Sequence, residues 1–119
     1  MTITSLLDLR TPTCFVPIAE LARRLGVTPR TLRHYQDQGL IRSHRIAHNA
    51  RAYDPDTVAT IETIVALRDI DLPIATIRDI LALRKEPQAQ AETLRAALLE
   101  VRADKQRQIA RIDGMLEFA

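Results

Sequence analysis

With 119 residues, four aromatic side chains and three glycines, the chain has room for one small core and one extension, and for no large interior. No apolar run approaches the length of a membrane span, and the single cysteine, Cys14, excludes an intramolecular disulfide or a thiolate cluster within one chain. The net charge of +2 is unevenly spread: residues 17–53 hold seven arginines against two acids, whereas residues 54–119 hold nine Lys/Arg against twelve acids. That asymmetry points to a polyanion partner for the first part alone, and the exclusive use of arginine there suits bidentate contact with phosphate or guanine.

Met1–Thr13 reads as a flexible N-terminal extension, although Leu6, Leu7 and Leu9 offer it something to pack. No basic start or long apolar stretch marks a signal peptide, so a cytoplasmic location is expected. Cys14–Val16 is short, apolar and β-prone. Cys14 itself reads as a small buried apolar side chain rather than a redox site. Pro17–Leu25 forms a helix with Ile18, Leu21, Ala22 and Leu25 on its apolar stripe, and Gly26 takes the positive φ that stops it.

Thr28 and Pro29 then open a second helix, as an N-cap followed by a proline whose missing N–H costs nothing at the first position. Pro29–Gln38 lies between this start and the stop at Gly39. Leu32 points to one side, flanked by Tyr35 and Gln36, while Arg30, Arg33, His34 and Asp37 cover the other. A helix this short cannot stand alone, so Leu32 and Tyr35 must pin it to a body with its arginine face outward. Together with the preceding helix it makes a helix-turn-helix, and its design suits entry into a DNA major groove.

Ile41–Tyr53 reads as a hairpin with Ile41, Ile46 and Tyr53 as anchors and a turn at Ala47–Asn49, where Asn49 tolerates the left-handed region. Arg42, Arg45 and Arg51 with His44 and His48 decorate it, and a cationic hairpin after a helix-turn-helix is a wing. His34, His44 and His48 have no carboxylate or thiol at ligand spacing, so no metal site is expected. Asp54 caps a helix running from Pro55 to Ile70. Asp71–Pro73 breaks the chain, Ile74–Arg84 forms another amphipathic helix, and Lys85–Gln88 reads as a linker.

Ala89–Glu117 is expected to be one long helix. Leu94, Leu98, Val101, Ile109, Ile112, Met115 and Leu116 fall along one stripe, interrupted by Lys105 and Gln108. So narrow a stripe on so long a helix suits burial against another copy of the chain, with packing back on its own domain as the competing reading. The organisation expected is thus residues 1–13 as extension, 14–84 as the DNA-binding domain, 85–88 as linker and 89–119 as the dimerisation helix. The fold class is all-α with a small β wing, a winged helix-turn-helix followed by a long C-terminal dimerisation helix.

The run IAELARRLGVTPRTLRHYQDQGLI, then NARAYD, then TIETIVALRDIDLPIATIRDILALR resembles the MerR family of bacterial transcription regulators. That family's pattern is a Thr- or Ser-capped recognition helix reading P-R-T-L-R-Y-Y-E, a wing ending in G-Y-R-x-Y, two further helices and an antiparallel dimerising coiled coil. The resemblance implies a homodimer on a pseudo-palindromic promoter operator, acting by DNA distortion, with double-stranded DNA as partner and RNA polymerase as a further one. It implies base or backbone contact by Arg30 and Arg33, within an interface of Thr28, Arg30, Thr31, Arg33, His34, Tyr35, Arg42, Arg45, Arg51 and Tyr53. Tyr35 would reach a phosphate, and Arg51 and Tyr53 would hold the wing on the backbone.

His34 stands for the first tyrosine of the family's pair and Gln36 for its glutamate. Asn49 and Ala50 replace the wing's Gly-Tyr, and Asp71 and Pro73 replace a Gly and a Ser. Sensor features of relatives, cysteines near the dimer helix or an added domain, have no counterpart after Cys14, so no cofactor is expected. Competing readings are a phage- or chromosome-associated architectural or excision factor, which usually lacks the long C-terminal helix, and a protein-interaction module whose basic region binds acidic protein. A salt-dependent gel shift on random duplex separates the latter. No nucleophile–base pair, metal set or phosphate-binding glycine loop supports an enzyme.

Overall fold

A computed structural model describes residues 15–47 and 50–119, with backbone alone at Ile46, Ala47 and Ala50. The expected N-terminal extension, Cys14, His48 and the turn residue Asn49 lie outside the described residues. The elements in order are β1 (Val16–Pro17), α1 (Ile18–Leu25), α2 (Pro29–Asp37), β2 (His44–Ala47), β3 (Ala50–Tyr53), α3 (Pro55–Asp69), α4 (Ile74–Ala82) and α5 (Pro87–Leu116). They form two compact units, residues 1–66 and 67–119, with the division falling inside α3.

Three helices end in the same way. At the end of α1, Gly26 has φ 70° and Val27 N–H reaches back to the Ala22 carbonyl at 3.0 Å. After α2, Gly39 has φ 76° and Leu40 N–H reaches the Tyr35 carbonyl at 3.0 Å. After α3, Asp71 has φ 70° and Leu72 N–H reaches the Leu67 carbonyl at 3.1 Å. Each is a left-handed residue followed by a six-to-one bond and an apolar residue, which satisfies orphan carbonyls and turns the chain sharply. Leu40 and Leu72 are buried at these corners. Asp71 is the one non-glycine residue at positive φ among the described residues, where the family pattern carries glycine. A short polar side chain tolerates that region best after glycine.

In the first unit, β3 is the central strand of an antiparallel sheet ordered β1-β3-β2. Val16 pairs with Tyr53 and Pro17 with Ala52, so the segment before α1 completes the wing. Of the strand expected at Cys14–Val16, Val16 lies in β1, which continues to Pro17, and Phe15 lies before it. Pro17, expected inside α1, is its N-cap residue in extended conformation. In the hairpin, His44 pairs with Ala52, Arg45 with Arg51 and Ala47 with Ala50, with a bulge between Arg45 and Ala47. Leu21, Leu32, Ala52, Tyr53, Ile61 and Ile64 are essentially inaccessible to solvent and form the heart of this unit.

In the second unit, Leu72, Ile77 and Ile80 are buried and α5 packs along α4. Gln90 Nε2 donates to the Ile80 carbonyl at 2.9 Å, and Lys105 Nζ donates to Asp71 Oδ2 at 3.0 Å. Lys105, expected as an interruption of an intermolecular stripe, thus ties α5 to the turn before α4. Val101 lines a crevice with Asp71, Pro73 and Thr76 of the same unit. Helix α4 stops at Ala82 rather than Arg84, and α5 starts at Pro87, inside the expected linker. Proline is as favourable in the first turn of a helix as it is disruptive later.

Candidate nucleic-acid interface

Helix α2 is held by its cap and by its apolar side. The Thr31 N–H donates to Thr28 Oγ1 at 3.1 Å, and the two hydroxyls lie 3.0 Å apart. Thr28 is therefore engaged as an N-cap, and Thr31 supports it. Leu32 is fully buried and Tyr35 is 5% exposed, whereas Arg30, Arg33, His34 and Asp37 all face solvent. The division between pinned and presented faces follows from the 100° step of the helix.

The two tyrosines that the resemblance places at the interface are both buried in the free chain. Tyr35 is a core ring, and Tyr53 is inaccessible to solvent. Burying a ring beside a sheet of short strands stabilises it more than leaving the ring at the surface. The Tyr53 hydroxyl donates to Gln36 Oε1 on α2. Burial raises its pKa above the ordinary tyrosine value, while the charges of Arg33 and Arg51 pull the other way.

Gln36 also donates from Nε2 to Ser43 Oγ at 3.0 Å, and Arg51 Nη1 donates to the same oxygen at 3.0 Å. This chain of bonds joins the end of α2 to the hairpin. Ser43 carries no family motif and is not singled out by the sequence, and Gln36 stands out there only as a flank of Leu32 and as a substitution for glutamate. Their signal, two polar residues at the margin of an apolar side, is too common to be read as a pair.

The hairpin places like charges together. Arg45 and Arg51 are directly opposite across β2 and β3, and both are exposed. Such a pair is unfavourable in the free protein and is relieved by an anion lying over it. Arg42 is also exposed. His44 serves the fold: its ring stacks edge-on against Phe15 at 5.0 Å, and its Nε2 lies 3.0 Å from Asp54 Oδ2. Among the described residues no group of three His, Cys, Asp or Glu side chains is placed to hold a metal.

A capped, arginine-faced second helix set beside a cationic three-stranded wing defines a winged helix-turn-helix protein. Residues 16–83 match the MerR HTH family of regulatory proteins, and the chain belongs to that family, whose members are transcription regulators and not enzymes. It is 32% identical over 91 residues to heavy metal-dependent transcription regulator 1 of Rhizobium meliloti (strain 1021), covering 76% of this chain and 62% of that relative. The chain thus spans about three fifths of the length of that regulator. The fold is similar to that of a MerR family transcriptional regulator from Listeria monocytogenes, with 27% identity, a TM-score of 0.69 and coverage of 86% of this chain and 83% of the other. It is also similar, at 17% identity and a TM-score of 0.65 over 88% and 90% of the two chains, to HiNmlR, a MerR family regulator lacking the sensor domain, bound to promoter DNA.

Proposed function

We infer that this chain is a DNA-binding transcription regulator that acts as a homodimer on a pseudo-palindromic promoter operator. The single observation that carries the reading is the exposed arginine face of the capped helix α2, accompanied on the wing by a second exposed arginine pair, Arg45 directly opposite Arg51. Helix α2 enters the major groove, with Arg30 and Arg33 at base edges and His34 and Thr31 near the backbone. The wing lays Arg42, Arg45 and Arg51 on adjacent phosphates. Tyr35 and Tyr53 hold these groups in place from the interior.

The second half of the reading rests on α5. This helix has 30 residues, none of them buried. Ile109, Ile112, Met115 and Leu116 are each more than half exposed, and Leu98 and Leu99 are exposed further up the helix. A helix with so much uncovered apolar surface is best stabilised by a partner of the same kind, and an antiparallel copy covers it. Leu94 and Leu98 extend the contact toward the body, while Val101 is shared with the chain's own crevice. Two modules at fixed spacing make the second DNA contact intramolecular, which multiplies affinity without new chemistry. The dimer distorts the DNA between promoter elements, and RNA polymerase then reads the altered spacing.

No helix of the described residues is long and apolar enough to cross a membrane, in keeping with a regulator that works in the cytoplasm. Selection of bound duplexes from a random pool tests the reading. It predicts an inverted repeat whose half-sites are spaced by about one helical turn, or by a multiple of it. Recovery of unrelated sequences contradicts it.

A further inference from the structure

We propose that Gln36 is the residue that positions the wing on the recognition helix, and that its lack of charge leaves the Arg51 guanidinium free for a phosphate. The inference rests on the DNA-binding reading and adds a role for a half-buried side chain at the margin of the pinned side of α2. Gln36 uses both ends of its amide. Oε1 accepts a hydrogen bond from the buried Tyr53 hydroxyl, and Nε2 donates to Ser43 Oγ at 3.0 Å. Tyr53 ends β3 and Ser43 immediately precedes β2, so one side chain grips both arms of the hairpin.

The charge of the group at this position matters because of what Ser43 also holds. Arg51 Nη1 donates to Ser43 Oγ at 3.0 Å, two hydrogen bonds away from Gln36. A guanidinium has five N–H donors, and this contact uses one of them. With a neutral amide at 36, Arg51 and the opposing Arg45 keep their charges for an incoming phosphate. A carboxylate at 36, the residue that the family pattern carries, still accepts from Tyr53, and Ser43 then turns its own proton toward it. The hairpin keeps its place, but an anion now sits within reach of Arg51 and competes with phosphate. Position 36 therefore separates two properties, wing placement and wing charge.

The full chain and three variants distinguish these properties. Gln36→Leu removes both hydrogen bonds, and Ser43→Ala breaks the grip without altering α2. In the absence of DNA, both variants are expected to speed amide hydrogen exchange at Arg51–Tyr53 by about tenfold, the scale of one or two lost hydrogen bonds. Gln36→Glu is expected to keep exchange slow. On the selected duplex, its plot of log affinity against log salt has a slope smaller by about one, as expected when one phosphate contact is lost. A merely structural role for Gln36 does not produce an intact wing with a reduced slope. Wild-type exchange rates in Gln36→Leu, or an unaltered slope in Gln36→Glu, overturn the proposal. Failure of the wild-type chain to bind any duplex overturns the functional reading instead, and the exchange measurement decides the grip without DNA.

Discussion

His44 Nε2 lies 3.0 Å from Oδ2 of Asp54, the carboxylate whose other oxygen accepts the Thr57 N–H at 2.7 Å to cap α3. One side chain thus starts a helix and anchors β2, the first strand of the hairpin. The Thr57 backbone bond is the main cause that lowers the Asp54 pKa below the ordinary carboxylate range, with His44 a smaller contributor.

A carboxylate whose pKa is lowered on folding contributes stability above its unfolded pKa, about 4, and that stability is lost as pH falls through the folded value. Asp54→Ala is expected to lower stability by about 0.5–2 kcal/mol at neutral pH, the usual effect of deleting an N-cap. In chemical denaturation at graded pH, the gap between wild type and variant should stay constant above about pH 5 and close below about pH 4. A gap that persists into acid means that the carboxylate is not the source.

At the presented face of α2, Arg30→Ala and Arg33→Ala should each weaken binding to the selected duplex by about 1–3 kcal/mol if the side chain reaches a base edge. Binding to random duplex should change much less. Equal losses on both duplexes assign the arginines to phosphate. Neither variant should alter the melting temperature appreciably, because both side chains are exposed.

On the opposite face, Leu32 is fully buried, and Leu32→Ala should destabilise the chain by about 2–5 kcal/mol through lost burial and the cavity left behind. Denaturant melts measure this directly. A cost below about 1 kcal/mol indicates that the site collapses and that Leu32 does not pin the helix.

Much of the first unit was legible because its signals are local. Thr28, Pro29, Gly26 and Gly39 act on their own turns, and the exposed and buried faces of α2 follow from period alone. The pairing of Val16 with Tyr53 was not legible, since a two-residue strand has no periodicity and its partner is distant in sequence. The Gln36–Ser43–Arg51 contacts depend on that same tertiary placement. Nor could the pairing of Lys105 with Asp71 be read from the helix stripe, because a lysine at a stripe position looks alike whether it meets another copy or its own turn. The helical start at Pro87 was obscured because proline marks both breaks and first turns.

For α5, the proposed dimer predicts that Ile109→Glu combined with Ile112→Glu yields a folded monomer. Both side chains are more than half exposed in one chain, so the substitutions cost the isolated fold little, while two charges facing a second copy are strongly unfavourable. Sedimentation equilibrium of wild type and variant checks this. A wild-type monomer at micromolar concentration, or a variant that remains a dimer, contradicts the role given to the distal half of the helix.

The central claim is that the arginine-faced helix and the cationic wing read a DNA sequence. The most direct measurement is the affinity of the full chain for the selected duplex and for a shuffled duplex of the same composition, titrated by fluorescence anisotropy at several salt concentrations. The account predicts that the selected duplex binds about 10³-fold or more tightly at physiological salt, and that both affinities fall steeply as salt rises. Equal affinity for the two duplexes, or affinity indifferent to salt, contradicts it.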